Sequence, residues 1–286
     1  MTLASCDSRK TAGENPFFTE WDTPHGVPPF DKILPEHFMP AFERGMSLHE
    51  AEIDAITSNK DEATFENTIL AYDDAGQMLA QTELVFGMLC AAETNDRMQA
   101  LQEQAMPLLA AHRDKIRLDD KLFVRVKEVY DRRAALGLDA EQMRLLQKTY
   151  DSFVRAGALL DAEQKARLKE INGQLSLTAV KFGNNILAEN NNFVLELKSD
   201  ELDGLPAGIR DAAREKAQQM GKGDKWVFTL HKPSLIPFLT YSAKRDLREK
   251  IYKAYLNRCN NGDQYDNKQR IFPNSGGTTD YAFSSP

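Results

Sequence analysis

Residues 226–258 read WVFTLHKPSLIPFLTYSAKRDLREKIYKAYLNR, and the change of period inside this stretch decides the fold. Its opening alternates. Trp226, Phe228 and Leu230 fall on one side of an extended segment, with Val227 and Thr229 on the other. Pro233 and Pro237 cannot donate to a sheet ladder, so they are expected to end the strand and bound a crossing segment. Beyond Tyr241 the period becomes helical: Ala243, Leu247, Ile251 and Tyr255 recur every four residues, with Lys244, Arg248, Glu249 and Lys253 between them. The stretch therefore predicts a strand, a Pro-bounded crossing and a basic amphipathic helix, a docking element for something larger.

Immediately upstream, Phe193-Val194-Leu195-Glu196-Leu197 reads as a strand, Gly204-Leu205-Pro206 as a turn, and residues 209–220 as a polar helix. This strand–helix–strand unit near 193–230 is too small to fold alone and is expected at one end of a helical array. The array itself fills most of the chain. One apolar stripe runs Phe42, Met46, His49, Ile53, Ile56, and Thr64 is placed to cap a helix whose stripe runs Phe65, Ile69, Tyr72, Gly76, Leu79, Phe86, Cys90. A third helix follows Asn95, with Met98, Leu101, Ala105, Leu108 and His112 inward and Pro107 as a kink. Asp119 begins a helix carrying Leu122, Phe123, Val126 and Tyr130, which Gly137 is placed to end. Two capping boxes, Asp139 with Gln142 and Asp161 with Gln164, open helices bearing Leu145, Leu146, Tyr150, Phe153 and then Leu168, Ile171, Leu175, Phe182, Ile186. Ahead of all these, residues 15–31 form an extended aromatic arm whose Phe17, Phe18, Trp21 and Phe30 are too apolar for a free tail. The expected class is mainly α, with residues 15–192 as a helical region, 193–269 as the strand–helix–strand unit plus docking helix, and flanking segments 1–14 and 270–286, the latter a disordered tail.

Composition narrows the function. A formal charge of −7 leaves no basic footprint for nucleic acid, and no apolar run is long enough for a membrane span. The three cysteines, Cys6, Cys90 and Cys259, form neither a CxxC nor a metal-ligand spacing. Leu3-Ala4-Ser5-Cys6 matches a lipobox, in which Cys6 would be the lipid anchor of a longer precursor. Only Met1-Thr2 precedes it, however, where a signal peptide needs a charged and then an apolar region. An envelope or periplasmic location follows if that match is real, and a cytoplasmic one otherwise.

No catalytic constellation is visible. A helical zinc site needs two imidazoles four residues apart with a glutamate between; His49-Glu50 begins one, but Ile53 stands where the second histidine belongs. His49 and His112 read as core histidines on apolar stripes. His231, in the docking element, is a minor candidate for substrate contact. Lys250 and Arg258 read as solvated, and no GxSxG, P-loop or GxGxxG occurs. The catalytic and metal-ligand sets of this chain are therefore expected to be empty, and no cofactor is expected on it.

A series of short stretches nevertheless carries a family signature. In order they are Asn15-Pro16-Phe17, Pro29-Phe30-Asp31, Phe42-Glu43-Arg44-Gly45-Met46, Thr64-Phe65-Glu66-Asn67-Thr68, Ala111-His112-Arg113-Asp114, Phe153-Val154-Arg155-Ala156-Gly157-Ala158 and Arg245-Asp246-Leu247-Arg248-Glu249-Lys250-Ile251-Tyr252. In order and spacing they resemble the amino-terminal part of the M3 (thimet oligopeptidase-like, neurolysin-like) zinc metallopeptidases, most nearly the bacterial peptidyl-dipeptidases. The resemblance implies a helical wall of a deep channel that admits short unstructured peptides. It also implies zinc held by an HExxH helix and a downstream glutamate in a carboxyl-terminal catalytic half, for which these residues offer no counterpart. The resemblance fades after Gln269. The expectation is a channel-wall region cut short before HExxH and inactive alone; the alternative is a helical peptide-binding module, or the partner of a separately encoded catalytic half.

Overall fold

Asn15 starts the described chain by capping a 3-10 turn, Pro16–Phe18: its side-chain oxygen accepts the Phe17 N–H at 3.1 Å while its amide donates to the His37 carbonyl at 2.9 Å. The computed structural model describes residues 15–271, so the tether 1–14 with Cys6, and the tail from 272 onward, lie outside the described residues. The described chain is mainly α and divides into two compact units, Met1–Leu177 and Thr178–Pro286.

In the first unit the arm is anchored by Phe17, buried against Phe38 with centroids 5.4 Å apart, whereas Phe30, expected to pack, is exposed. Helix α1 (Phe38–Ser58) buries Phe38, Phe42, Ile53 and Ile56. Thr64 then forms a reciprocal cap with Asn67 and opens a π-helical turn, Phe65–Leu70, that continues into α2 (Ala71–Asp73). The single helix expected through residues 65–90 is in fact broken at Gly76. Gly76 has φ +78°, and a Cβ there would lie 2.8 Å from the His49 ring, so close approach of α1 forces a left-handed residue that only glycine supplies cheaply. Helix α3 (Gln77–Ala92) follows, then α4 (Asp96–Arg117), α5 (Asp120–Asp131) and α6 (Ala140–Arg155), each begun by the side chain expected to cap it where one was assigned: Asn95, Asp119 and Asp139. On α4 the inward position is Leu109 instead of Leu108, because Ala105, Leu109, His112 and Ile116 define its buried face. Pro107 lies inside α4, which runs through it unbroken.

Two apolar centres hold the unit. Phe38, Phe42 and Phe86 meet at centroid distances of 4.9 to 6.3 Å, and Phe153 sits fully buried between Tyr72 and Phe123. Arg125 is buried with them and clamps the 59–67 segment, donating to the carbonyls of Asn59 (2.9 Å) and Asp61 (3.1 Å) and to Asn67 Oδ1 (3.0 Å). Helix α7 (Ala162–Asn192) opens on the expected Asp161–Gln164 box, and its buried Lys165 pairs with Asp120; Leu175, expected inward, is exposed.

In the second unit β1 (Leu195–Leu197) pairs antiparallel with β2 (Trp226–Phe228), Leu195 opposite Phe228 and Leu197 opposite Trp226. Helix α8 (Ala207–Gln219) lies between them in sequence and buries Ala213 and Ala217. The turn before it needs Gly204, where a Cβ would meet the Tyr241 carbonyl oxygen at 2.3 Å. The reading of residues 226–241 needs correction. Residues 227–230 are all buried, so the alternation does not separate a wet from a dry face. The Pro-bounded crossing is a helix, α9 (Lys232–Tyr241), because Pro233 sits in its first turn, where no N–H is needed, and Pro237 removes a single hydrogen bond. Ser234 Oγ accepts the Thr229 N–H at 3.0 Å and so turns the strand into the helix. Helix α10 (Arg245–Leu256) buries Ile251 as the four-residue period predicts, and α11 (Lys268–Ile271) closes the described chain.

The loop between α10 and α11 is clipped by Glu189, whose carboxylate accepts from the Cys259 N–H and the Asn261 amide. Within the loop the Gly262 N–H donates to Asp266 Oδ2 at 2.7 Å, and buried Asn267 bonds the Phe182 carbonyl at 3.2 Å. Arg258 bonds Asn190 Oδ1 at 3.0 Å instead of standing free in solvent.

Candidate functional site

The polar cluster with the most chemistry lies in the first unit, where α1 carries His49, Glu50 and Glu52 and α4 carries His112 and Lys115. Their crossing places His112 Nε2 3.1 Å from His49 Nδ1, with ring centroids 5.1 Å apart. The other His112 nitrogen, Nδ1, is 3.5 Å from Glu50 Oε1, an electrostatic contact longer than a good hydrogen bond. Glu50 Oε2 accepts from the Lys115 ammonium at 2.8 Å, and Glu52 accepts the Gly76 N–H at 2.7 Å.

The electrostatics follow from burial. Both imidazoles are pushed below their ordinary value of 6.5, chiefly by desolvation. Repulsion from His112 adds to the effect at His49, while Glu50 opposes it at His112. The Lys115 hydrogen bond holds Glu50 below the usual carboxylate range. Two neutral imidazoles joined nitrogen to nitrogen share one proton. The carboxylate beside His112 Nδ1 favours the tautomer protonated there, leaving Nε2 to accept from His49 Nδ1–H.

The His49–Glu50–His112 donor set does not fit a zinc ion of the HExxH kind. Ile53 occupies the second histidine position and is buried, Gly76 packs against the His49 ring, and Glu50 is engaged by Lys115. Among the described residues no three His, Cys, Asp or Glu side chains are grouped to hold a metal ion. The histidine pair binds α1 to α4 and holds a proton.

His231 is placed elsewhere, at the start of α9 in the second unit. Its carbonyl receives the N–H groups of Ser234 and Leu235, each at 2.9 Å, and its side chain is exposed. Cys6 lies outside the described residues. The pairing of His49 with His112 was missed because each was read on its own helix, 63 residues apart. The one usable signal was that both occupy buried-stripe positions, where a lone imidazole needs a polar partner.

No family model matches the chain. Comparison with curated proteins does find relatives. The chain is 36% identical over 258 residues to the dipeptidyl carboxypeptidase of Escherichia coli K12, an alignment covering 90% of this chain and 38% of that protein. It is 34% identical over 255 residues to the dipeptidyl carboxypeptidase of Salmonella typhimurium, with 89% of this chain and 38% of the relative aligned. Oligopeptidase A of Escherichia coli K12 is 25% identical over 252 residues, 86% of this chain and 37% of its own. The chain thus spans well under half the length of the curated relatives it matches. Across the aligned region it belongs to the M3, thimet oligopeptidase-like peptidases.

Proposed function

We propose that this chain forms the amino-terminal, channel-wall region of an M3-type zinc peptidyl-dipeptidase, and that its 286 residues hydrolyse no peptide by themselves. The observation that carries the reading is the 36% identity over 258 residues to a protein named dipeptidyl carboxypeptidase. The absence of HExxH from the 286-residue sequence supports the second clause, as does the misfit of the His49–Glu50–His112 cluster to zinc. In this reading the ligands of the catalytic zinc belong to a catalytic half outside this sequence, and short unstructured peptides are the substrates of the two together. Cys6 would carry a lipid in a longer precursor, which mass spectrometry of the protein from its native host would detect.

The test is to assay N-blocked tripeptides with zinc, using the pure chain alone and mixed with the Escherichia coli relative lacking its aligned segment. The chain alone is expected to release no dipeptide, and mixing is expected to restore release. Zinc-dependent cleavage by the pure chain would overturn the reading. Peptide binding by a chain that restores nothing would replace it with a free-standing binding module.

A further inference from the structure

Four ring nitrogens belong to the His49–His112 pair, and two of them face each other. The inner two, His49 Nδ1 and His112 Nε2, stand 3.1 Å apart; the outer two are His49 Nε2 and His112 Nδ1. Neutral imidazoles bring one hydrogen each. One bridges the inner nitrogens and the other sits on an outer one, whichever tautomers are drawn. A first added proton therefore goes to the remaining outer nitrogen and leaves the bridge whole. The bridge is then an imidazolium donating to a neutral ring, a charge-assisted bond about twice as strong as the neutral one. A second added proton has only an inner nitrogen left. Two N–H groups would then point at each other across 3.1 Å, and two cations would stand 5.1 Å apart, centroid to centroid. They would do so at a site where the His112 side chain is only 3% exposed.

The surroundings suit one added charge and not two. Facing the pair on α1 are Glu50, 3.5 Å from His112 Nδ1, and Glu52, which accepts the Gly76 N–H. Facing it on α4 are Lys115, taken up by Glu50, and Arg113, 4.0 Å from Glu83 of α3. The turn before α3 presents Gly76 to the His49 ring. A doubly charged pair is relieved by moving α4. Helix α1 is held on α3 by Phe42 against Phe86, centroids 5.3 Å apart. Beside His112, in contrast, the seam between α1 and α4 already contains a cavity of about 390 Å³, lined by Met46 and Leu108.

We propose that the pair is a two-proton latch: one added proton tightens the crossing of α1 and α4, and a second, on an inner nitrogen, parts α4 from α1 while α5 and α6 stay packed. The proposal concerns the first unit alone and holds whether or not the chain is part of a peptidase.

The test uses the full chain from about pH 7 down to about pH 4, a range that spans histidine titration. Ring nitrogen shifts of isotope-labelled histidine follow the pair, and hydrogen exchange gives backbone protection factors helix by helix. Two separate steps are expected. Through the first, residues 108–116 of α4 keep their protection. Through the second it falls about tenfold per pH unit, the slope of one proton taken up on opening, because a helix parted from its neighbours is marginal in water. Amides of α5 and α6 keep theirs. H112Q retains an acceptor for His49 Nδ1–H but offers no inner site for a further proton, so its α4 should stay protected throughout. A single two-proton step, protection lost in the first step or in neither, equal loss in α5 and α6, or the same loss in H112Q would each overturn the assignment. The parent alone supplies all but the last of these outcomes, so the test stands even if H112Q does not fold.

Discussion

Replacing Gly76 by alanine tests the packing of the histidine pair most directly. The substitution asks a residue with a Cβ to hold φ +78°, at a cost of about 1–2 kcal/mol. The new methyl would stand 2.8 Å from His49 Nδ1 and 2.9 Å from Cε1, so the ring must move. Moving it breaks the bond to His112 Nε2, worth about 1 kcal/mol, and strands a nitrogen on a ring that is almost wholly buried. The restricted unfolded chain gives back about 0.4–1 kcal/mol. The net expectation is a loss of about 2 kcal/mol, which for a unit of this size lowers the thermal midpoint by roughly 4–8 °C. Circular dichroism on heating, with urea titration for ΔG, would measure it. The cause is separated by a cycle with H49A. Once the ring is gone the steric part vanishes while the backbone part stays, so the two losses should fall short of additive by about 1 kcal/mol. A G76A midpoint within ~1 °C of the parent, or strict additivity in the cycle, would refute the account.

The same pair fixes a pH dependence. Both folded imidazoles titrate below 6.5, so above that pH they add no slope. As the pH falls through 6.5 the unfolded chain takes up protons that the folded pair resists, and stability drops by up to about 1.4 kcal/mol per pH unit for each imidazole until the folded pair itself titrates. Glu50 keeps its charge over this window and tempers the loss at His112. Urea midpoints at a series of pH values should show a shallower acid slope for H112Q than for the parent; parallel slopes would contradict the burial argument. Elsewhere, R125K replaces a buried fork that makes three hydrogen bonds with a single ammonium, and should cost about 2–3 kcal/mol. A urea titration giving less than ~0.5 kcal/mol would show that the 59–67 segment is held by something other than Arg125.

What could be read from the sequence is the chemistry that acts over three or four residues. Thr64, Asn95, Asp119, Asp139 and Asp161 each accept backbone N–H groups within the following turn, so their roles depend on nothing distant. The stripes of α1, α5 and α6 were legible for the same reason. The break at Gly76 was not, because its cause is a ring on another helix, 27 residues earlier in the chain. Pro233 and Pro237 misled because proline was weighed as a strand breaker, while the first turn of a helix accepts it without loss. Leu108 and Leu109 differ only in the phase of a face, which neighbouring helices set. At the candidate site, the two histidines were visible as residues and invisible as a pair, since their contact exists only through the crossing of α1 and α4.

The clip around Glu189 also bears on how the protein ages. Asn261 precedes Gly262, the sequence in which a backbone nitrogen most readily attacks the preceding side-chain amide, expelling ammonia and leaving a succinimide that water opens to aspartate or isoaspartate. Here both partners are engaged: the Asn261 amide donates to Glu189, and the attacking Gly262 N–H is held by Asp266. Cyclisation must wait until the loop opens and releases the two together. The rate of deamidation at this one site is therefore a clock for loop opening. Once it has run, the carboxylate it creates faces Glu189 and turns an attraction into a repulsion, so the aged loop is clipped less tightly than the original.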